Sequence, residues 1–128
     1  MANRYGEAAL IATRQESSAD VNPVARWENA MKTLYPTSSA ARKKSCPRGA
    51  FLGLCEAGLV KGIPAGRYTA SKDNKDYAVR AAALLTAGTQ RWSTGALWKA
   101  VAKPAMTHKN QMDIVLALWN NDLIVRKP

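Results

Sequence analysis

Apolar residues recur along this chain at a helical period, interrupted by proline, glycine and short polar stretches. Tyr5, Ala8, Ala9 and Ala12 share one face of a first helix, which Asn3 caps and which runs to about residue 16. Asn22-Pro23 is a strong start signal, an N-cap followed by proline at the first helical position. Val24, Trp27, Met31 and Leu34 then form a stripe that Pro36 stops after Tyr35. A short helical turn over residues 40–44 leads into the densest apolar run, residues 45–66. Beyond it, Ser71 caps a helix over 72–87 with Tyr77, Ala81, Leu84 and Leu85 inward, Asp76 and Arg80 paired one turn apart, and Gly88 as a left-handed exit. Ser93 or Thr94 opens a helix burying Leu97, Trp98 and Val101, which ends before Pro104. Thr107 caps the last helix, where Met112, Val115, Leu116 and Trp119 form the stripe, Asn120 or Asn121 takes the left-handed exit, and residues 123–125 lie as a tail against the core.

The run over 45–66, SCPRGAFLGLCEAGLVKGIPAG, organises the rest. Ser45 reads as its N-cap, with Pro47 tolerated in the first turn because its missing N–H has no helical partner there. Phe51, Leu52, Cys55 and Leu59 occupy one face and Leu54 another, so a buried helix over about 47–57 is covered on more than one side. Gly53 lowers helix propensity and marks a close crossing by another helix. Gly58 suits a left-handed C′ position with Leu59 as the apolar residue after it, and 63–66 (Ile-Pro-Ala-Gly) has the chemistry of a type I turn. Residues 51–59 and 115–123 share their apolar spacing, and an Ala-x-Trp precedes each. Without a fixed period this reads as two buried helices of like length rather than a repeat array. The fold class is therefore all-α: a compact single domain over 1–128, of five or six helices around the buried 47–57 helix.

Composition adds a charge asymmetry. The net charge is +10, and residues 42–109 carry all of it, thirteen cations against Glu56, Asp73 and Asp76. Such a distribution favours an anionic partner, nucleic acid first among them. No apolar run approaches the ~20 residues of a membrane span, and the N-terminal stretch has no long apolar core of a secretory signal, so no membrane partner is expected. Two cysteines suit a reducing cytoplasm. On one helix Cys46 and Cys55 would lie about 13 Å apart along the axis, too far for a disulfide. With His108 they make too poor a ligand set for a metal, and no cofactor is implied.

The stretches SCPRGAFLGLCEAGLVKGIPAG and QMDIVLALW together resemble an uncharacterised family of small bacterial proteins, a domain of unknown function, and the likeness spans most of the chain. The resemblance implies a bacterial, cytosolic, stand-alone domain. It brings no activity and no functional residues.

Candidate chemistry collects at the start of the central helix. Arg42, Lys43, Lys44 and Arg48 surround a helix N-terminus whose Ser45 and N–H groups suit phosphate or carboxylate, and Gly49 lets a ligand approach the backbone. The GxxxxGK[ST] pattern of a P-loop is absent. The same position would make Cys46 a reactive thiol, whereas Cys55 belongs to the core. A Cys46–His108 nucleophilic pair requires the two helix starts to meet in space. Trp92, in a loop beside Arg91, suits either a base-stacking platform or a plug between helices. A helix-turn-helix is excluded directly after the central helix by Gly62 and Pro64. The 72–87 helix, with Lys72, Asn74 and Lys75 near its start, can contact phosphates later, against the opposing charges of Asp73 and Asp76. The leading expectation is non-enzymatic binding of a polyanion, nucleic acid above all, through Arg42, Lys43, Lys44, Ser45, Arg48 and Gly49 with Lys72 and Lys75. The alternative is a protein-interaction module, an adaptor or inhibitor, docking on an acidic partner. An enzyme using Cys46 ranks third.

Overall fold

The apolar run folds as α4, Ser45–Glu56, and every residue from position 49 to position 55 is buried. A helix apolar on all sides must be covered on all sides, and α4 packs against α2 (Pro23–Leu34), α5 (Lys72–Ala87) and α7 (Gln111–Asn120). The computed structural model describes residues 4–14, 22–42, 44–88, 91–102, 108 and 110–125, without the side chains of 41 and 42. Among these residues there are six helices of eight residues or more, completed by α1 (Arg4–Arg14) and α6 (Thr94–Val101), and a one-turn α3 (Ser39–Arg42). The all-α expectation holds.

The close crossing marked by Gly53 is made by α5. A Cβ on Gly53 would lie 2.5 Å from the Cα of Lys75, so only glycine admits the α5 backbone there. At the other end Gly58 takes φ 75°, its N–H reaches the Cys55 carbonyl at 3.0 Å, and the Leu59 N–H reaches the Leu54 carbonyl at 3.0 Å. These are the two bonds of a Schellman motif, as the Gly-Leu pair predicts.

Asn22 caps α2 as expected, its Oδ1 accepting the Val24 N–H at 2.8 Å. Ser93 does the same for α6 through the Ala96 N–H at 3.1 Å. Other boundaries differ from the expectation. Ser45 is the first residue of α4 rather than its cap; Lys44 holds that place, and among the described residues no side chain caps the turn. The tight turn is centred on Gly62, at φ 84°, with the Ile63 N–H on the Val60 carbonyl at 3.2 Å. The type I turn expected over 63–66 does not form, because the Gly66 N–H goes to the Glu56 carbonyl at 3.3 Å. Gly88 ends α5 in an extended rather than left-handed conformation. Ser71 precedes α5 without capping its backbone, its Oγ accepting from Asn74 Nδ2 at 2.8 Å. The expected caps Asn3 and Thr107 lie outside the described residues, and α7 starts later than Thr107 implies, after Asn110 at φ 70°. Its left-handed exit falls on Asp122, at φ 59°, rather than on either asparagine.

Two arginines bind helix C-termini, where the dipole favours a cation. Arg26 is buried, with its Nη1 donating to the Ala12 carbonyl of α1 at 3.0 Å. Arg80 donates from Nη1 to the Val101 carbonyl of α6 at 3.2 Å, and its pair with Asp76 is looser, 3.6 Å and exposed.

The echo between the two apolar helices has a structural counterpart. Leaving α7, the Asp122 N–H bonds to the Trp119 carbonyl at 3.1 Å and the Leu123 N–H to the Leu118 carbonyl at 2.9 Å, a second Schellman motif. The tails then pair reciprocally through an antiparallel bridge of Val60 with Ile124. Lys61 N–H reaches the Leu123 carbonyl at 2.9 Å, and Val125 N–H reaches the Leu59 carbonyl at 2.7 Å. Such exchange of equivalent contacts is the mark of a two-fold relation. The helix neighbours follow it: α1 packs on α2 and α7, while α5 packs on α6 and α4. Trp27 and Trp98 are both buried four residues into their helices, and Ala8, Ala9 and Ala12 match Ala81, Ala82 and Leu85. The relation is approximate, since α5 also packs on α7 and α1 has no comparable contact with α4. The shared apolar spacing of the two helices thus goes with similar exits and similar neighbours.

Candidate functional site

The pairing of the tails places α4 and α7 side by side with their starts at the same end. There a cleft of about 590 Å³ opens, lined by Lys44, Ser45, Cys46 and Pro47 of the α4 start and by His108 and Asn110 before α7. The two helix starts that a Cys46–His108 pair required do meet.

The first turn of α4 has orphan N–H groups by helix geometry, and among the described residues no side chain caps them. These donors and the positive dipole end face a cleft whose Lys44 is exposed. Arg48 is half-buried one turn into the helix. Lys43 lies outside the described residues, as does the side chain of Arg42.

In this structure His108 is hydrogen-bonded to the backbone of α7 and not to Cys46. Its Nε2 accepts the Met112 N–H at 3.1 Å, which caps the first turn of α7, and its ring lies 5.3 Å from that of Trp98. That bond occupies the lone pair a general base needs and leaves the ring proton on Nδ1. Burial holds the imidazole below its usual pKa, with the Asp113 carboxylate partly opposing. The sequence shows a histidine near a helix start. It does not show that its side chain takes over the capping, which depends on the left-handed turn at Asn110.

Three expected site residues fall elsewhere. Gly49 is buried with a virtual Cβ 2.9 Å from the Cβ of Asn74, so α5 occupies the space a ligand was expected to use. Lys72 and Lys75 line a separate groove of about 620 Å³ with Arg67 and Glu56. Lys75 is committed there: its Nζ lies 2.7 Å from Glu56 Oε2, and Glu56 Oε1 also accepts the Tyr68 N–H at 2.9 Å. The lysine first and the Tyr68 N–H second hold the Glu56 carboxyl below its ordinary pKa. Trp92 packs half-buried against the core, in keeping with a plug. Among the described residues no group of three or more ligating side chains can hold a metal ion.

The two thiols differ in access. Cys46 is half-buried on the cleft, whereas Cys55 is fully buried, and burial pushes its thiol pKa far up. A thiol reagent added to the native protein should label Cys46 and spare Cys55 until denaturant is added. Mass spectrometry of the modified peptides reads this, and equal labelling of both would contradict the packing of α4.

An all-helical fold with a cleft at two helix starts, Lys44 beside it, is thus the class defined by fold and site. The chain belongs to DUF6979, a family of unknown function whose model matches residues 2–125. No curated protein and no solved structure matches the chain. No described helix is long and apolar enough to cross a membrane.

Proposed function

We propose that this protein binds a polyanion without chemically changing it, and that the polyanion is nucleic acid held by its phosphates at the cleft between the α4 and α7 starts. The observation that carries the reading is the convergence of two helix N-termini on one cleft, with uncapped first-turn donors on α4 and Lys44 beside them. The charge distribution supports it, because the net +10 lies within residues 42–109, which include the approaches to both helix starts. The engagement of His108 by Met112 supports a non-enzymatic role, since Cys46 then has no free base beside it among the described residues. A reducing bacterial cytoplasm is the compartment that suits two free thiols.

Binding of single-stranded DNA, followed by fluorescence anisotropy, should weaken steeply with salt. Replacing Lys43, Lys44 and Arg48 together by glutamine should flatten the slope of log K against log salt by roughly two to three, at about 0.7–0.9 for each phosphate left without its cation. An unchanged slope, or no binding at low salt, would move the assignment to docking on an acidic protein.

A further inference from the structure

We propose that the His108 side chain occupies the start of α7 in place of an anion, and that taking up a proton turns it from a competitor for that position into a partner of the ligand. The inference rests on the cleft being the anion site and adds how that site is regulated. Its geometric basis is the bond from the Met112 N–H to His108 Nε2, 3.1 Å long, at the mouth of the cleft that Lys44, Cys46 and Asn110 also line.

A first-turn N–H of a ten-residue helix is what an incoming phosphate oxygen would take. In the free protein a neutral imidazole takes it instead. Protonation removes the acceptor lone pair, and an imidazolium N–H cannot face an amide N–H. The ring must then turn away, which exposes the Met112 N–H and places a new positive charge at the cleft. Both changes favour an anion, so their effects add. Without a ligand the same step is unfavourable, because the cation would sit against the positive end of α7 and across the cleft from Lys44. Among the described residues the other groups around the ring are these. Asp113 on α7 favours the charged form, Cys46 lies across the cleft on α4, and Trp98 of α6 backs the ring, itself met edge-on by Tyr77 of α5. Burial of the imidazole agrees with a neutral resting state. The sign follows: the contribution of His108 to folding is full above about pH 6.5, the ordinary histidine pKa, and is lost as pH falls below it, whereas anion affinity rises over the same range. By reciprocity a bound anion must raise the histidine pKa.

His108 is the single histidine of the chain, so its titration can be followed without assignment ambiguity. In the ligand-free protein, nitrogen NMR should show the proton on Nδ1 and a midpoint below about 6.5, with the Met112 amide moving at the same midpoint. Added single-stranded DNA should raise that midpoint, and its affinity should rise by up to about tenfold per pH unit between about pH 7.5 and 5.5. The His108→Ala variant should bind at least as well as the unaltered protein near the upper end of that range and lose most of the pH dependence. A proton on Nε2, or a Met112 amide indifferent to the titration, would overturn the proposal whether or not DNA binds. Tight binding with the same pH dependence in the variant would overturn it while leaving the cleft as the anion site. Absence of DNA binding at every pH would remove both the anion site and its regulation, even with the capping bond intact.

Discussion

Replacing Trp27 by alanine should cost about 3–5 kcal/mol of folding free energy, the range for truncating a buried aromatic, and lower Tm by roughly 10–20 °C. Trp27 is 1% exposed and stacks on Phe51 of α4 with ring centroids 5.3 Å apart, so its loss opens a void beside the central helix. Its Nε1 meets no acceptor among the described protein atoms. Trp27→Phe keeps an aromatic ring on Phe51 and removes that buried donor, so it should cost far less, about 1 kcal/mol. Urea unfolding of the two variants reads the difference. Equal losses would mean that the indole N–H, and not the stack, carries the stability.

The second large effect is expected at Gly53. Alanine is the better helix former by about 1 kcal/mol, yet its methyl would meet the Lys75 backbone at 2.5 Å. Backbone cannot swing aside as a side-chain end can, so α5 must be displaced from α4. The net loss should be about 2 kcal/mol or more, with Lys75 drawn off Glu56. Gly95 in α6 is the control: nothing lies within 4 Å of its virtual Cβ, and Gly95→Ala should stabilise by about 0.5–1 kcal/mol. Thermal unfolding of both variants checks the opposite signs. A stabilised Gly53→Ala protein would show that the α4–α5 crossing is looser than described.

Features that depend on a few adjacent residues were legible in the chain itself. Asn22-Pro23 opens α2 and Gly58-Leu59 closes α4, because each motif supplies both donor and acceptor within a turn. Gly53 was legible for a different reason: glycine inside an apolar helix is costly unless something fills its place. The helix starts at 45 and 111 were not, since a cap forms only if the incoming chain arrives at the right angle. Lys44 and Asn110 take the cap positions instead, and neither makes the side-chain bond by which a cap is read in sequence. The turn expected at Pro64 gave way because the Gly66 N–H bonds to the Glu56 carbonyl, a partner ten residues back that local turn chemistry does not reveal.

The candidate site divides in the same way. The cations near Ser45 and the two thiols can be read from spacing, and so can the suspicion attached to His108. That α4 and α7 begin beside each other cannot, because residues so far apart in sequence meet only through the shared core. The same distance hides the removal of Lys75 to Glu56 and of Gly49 to Asn74.

The reciprocal tail pairing bears on the order in which the molecule is made. Helix α1 is made well before α7, yet α1 packs on α7, and Val60 waits for Ile124. Until α7 and the residues after it emerge, Ala8, Ala9 and Ala12 lack one of their two partner helices, and the exit of α4 has no extended segment to meet. The first half of the chain is thus an incomplete core with apolar surface uncovered until α7 is made, the state in which nascent chains recruit chaperones. Closure of the core should therefore wait for α7, and a truncation upstream of α7 should leave a product that does not hold a stable fold.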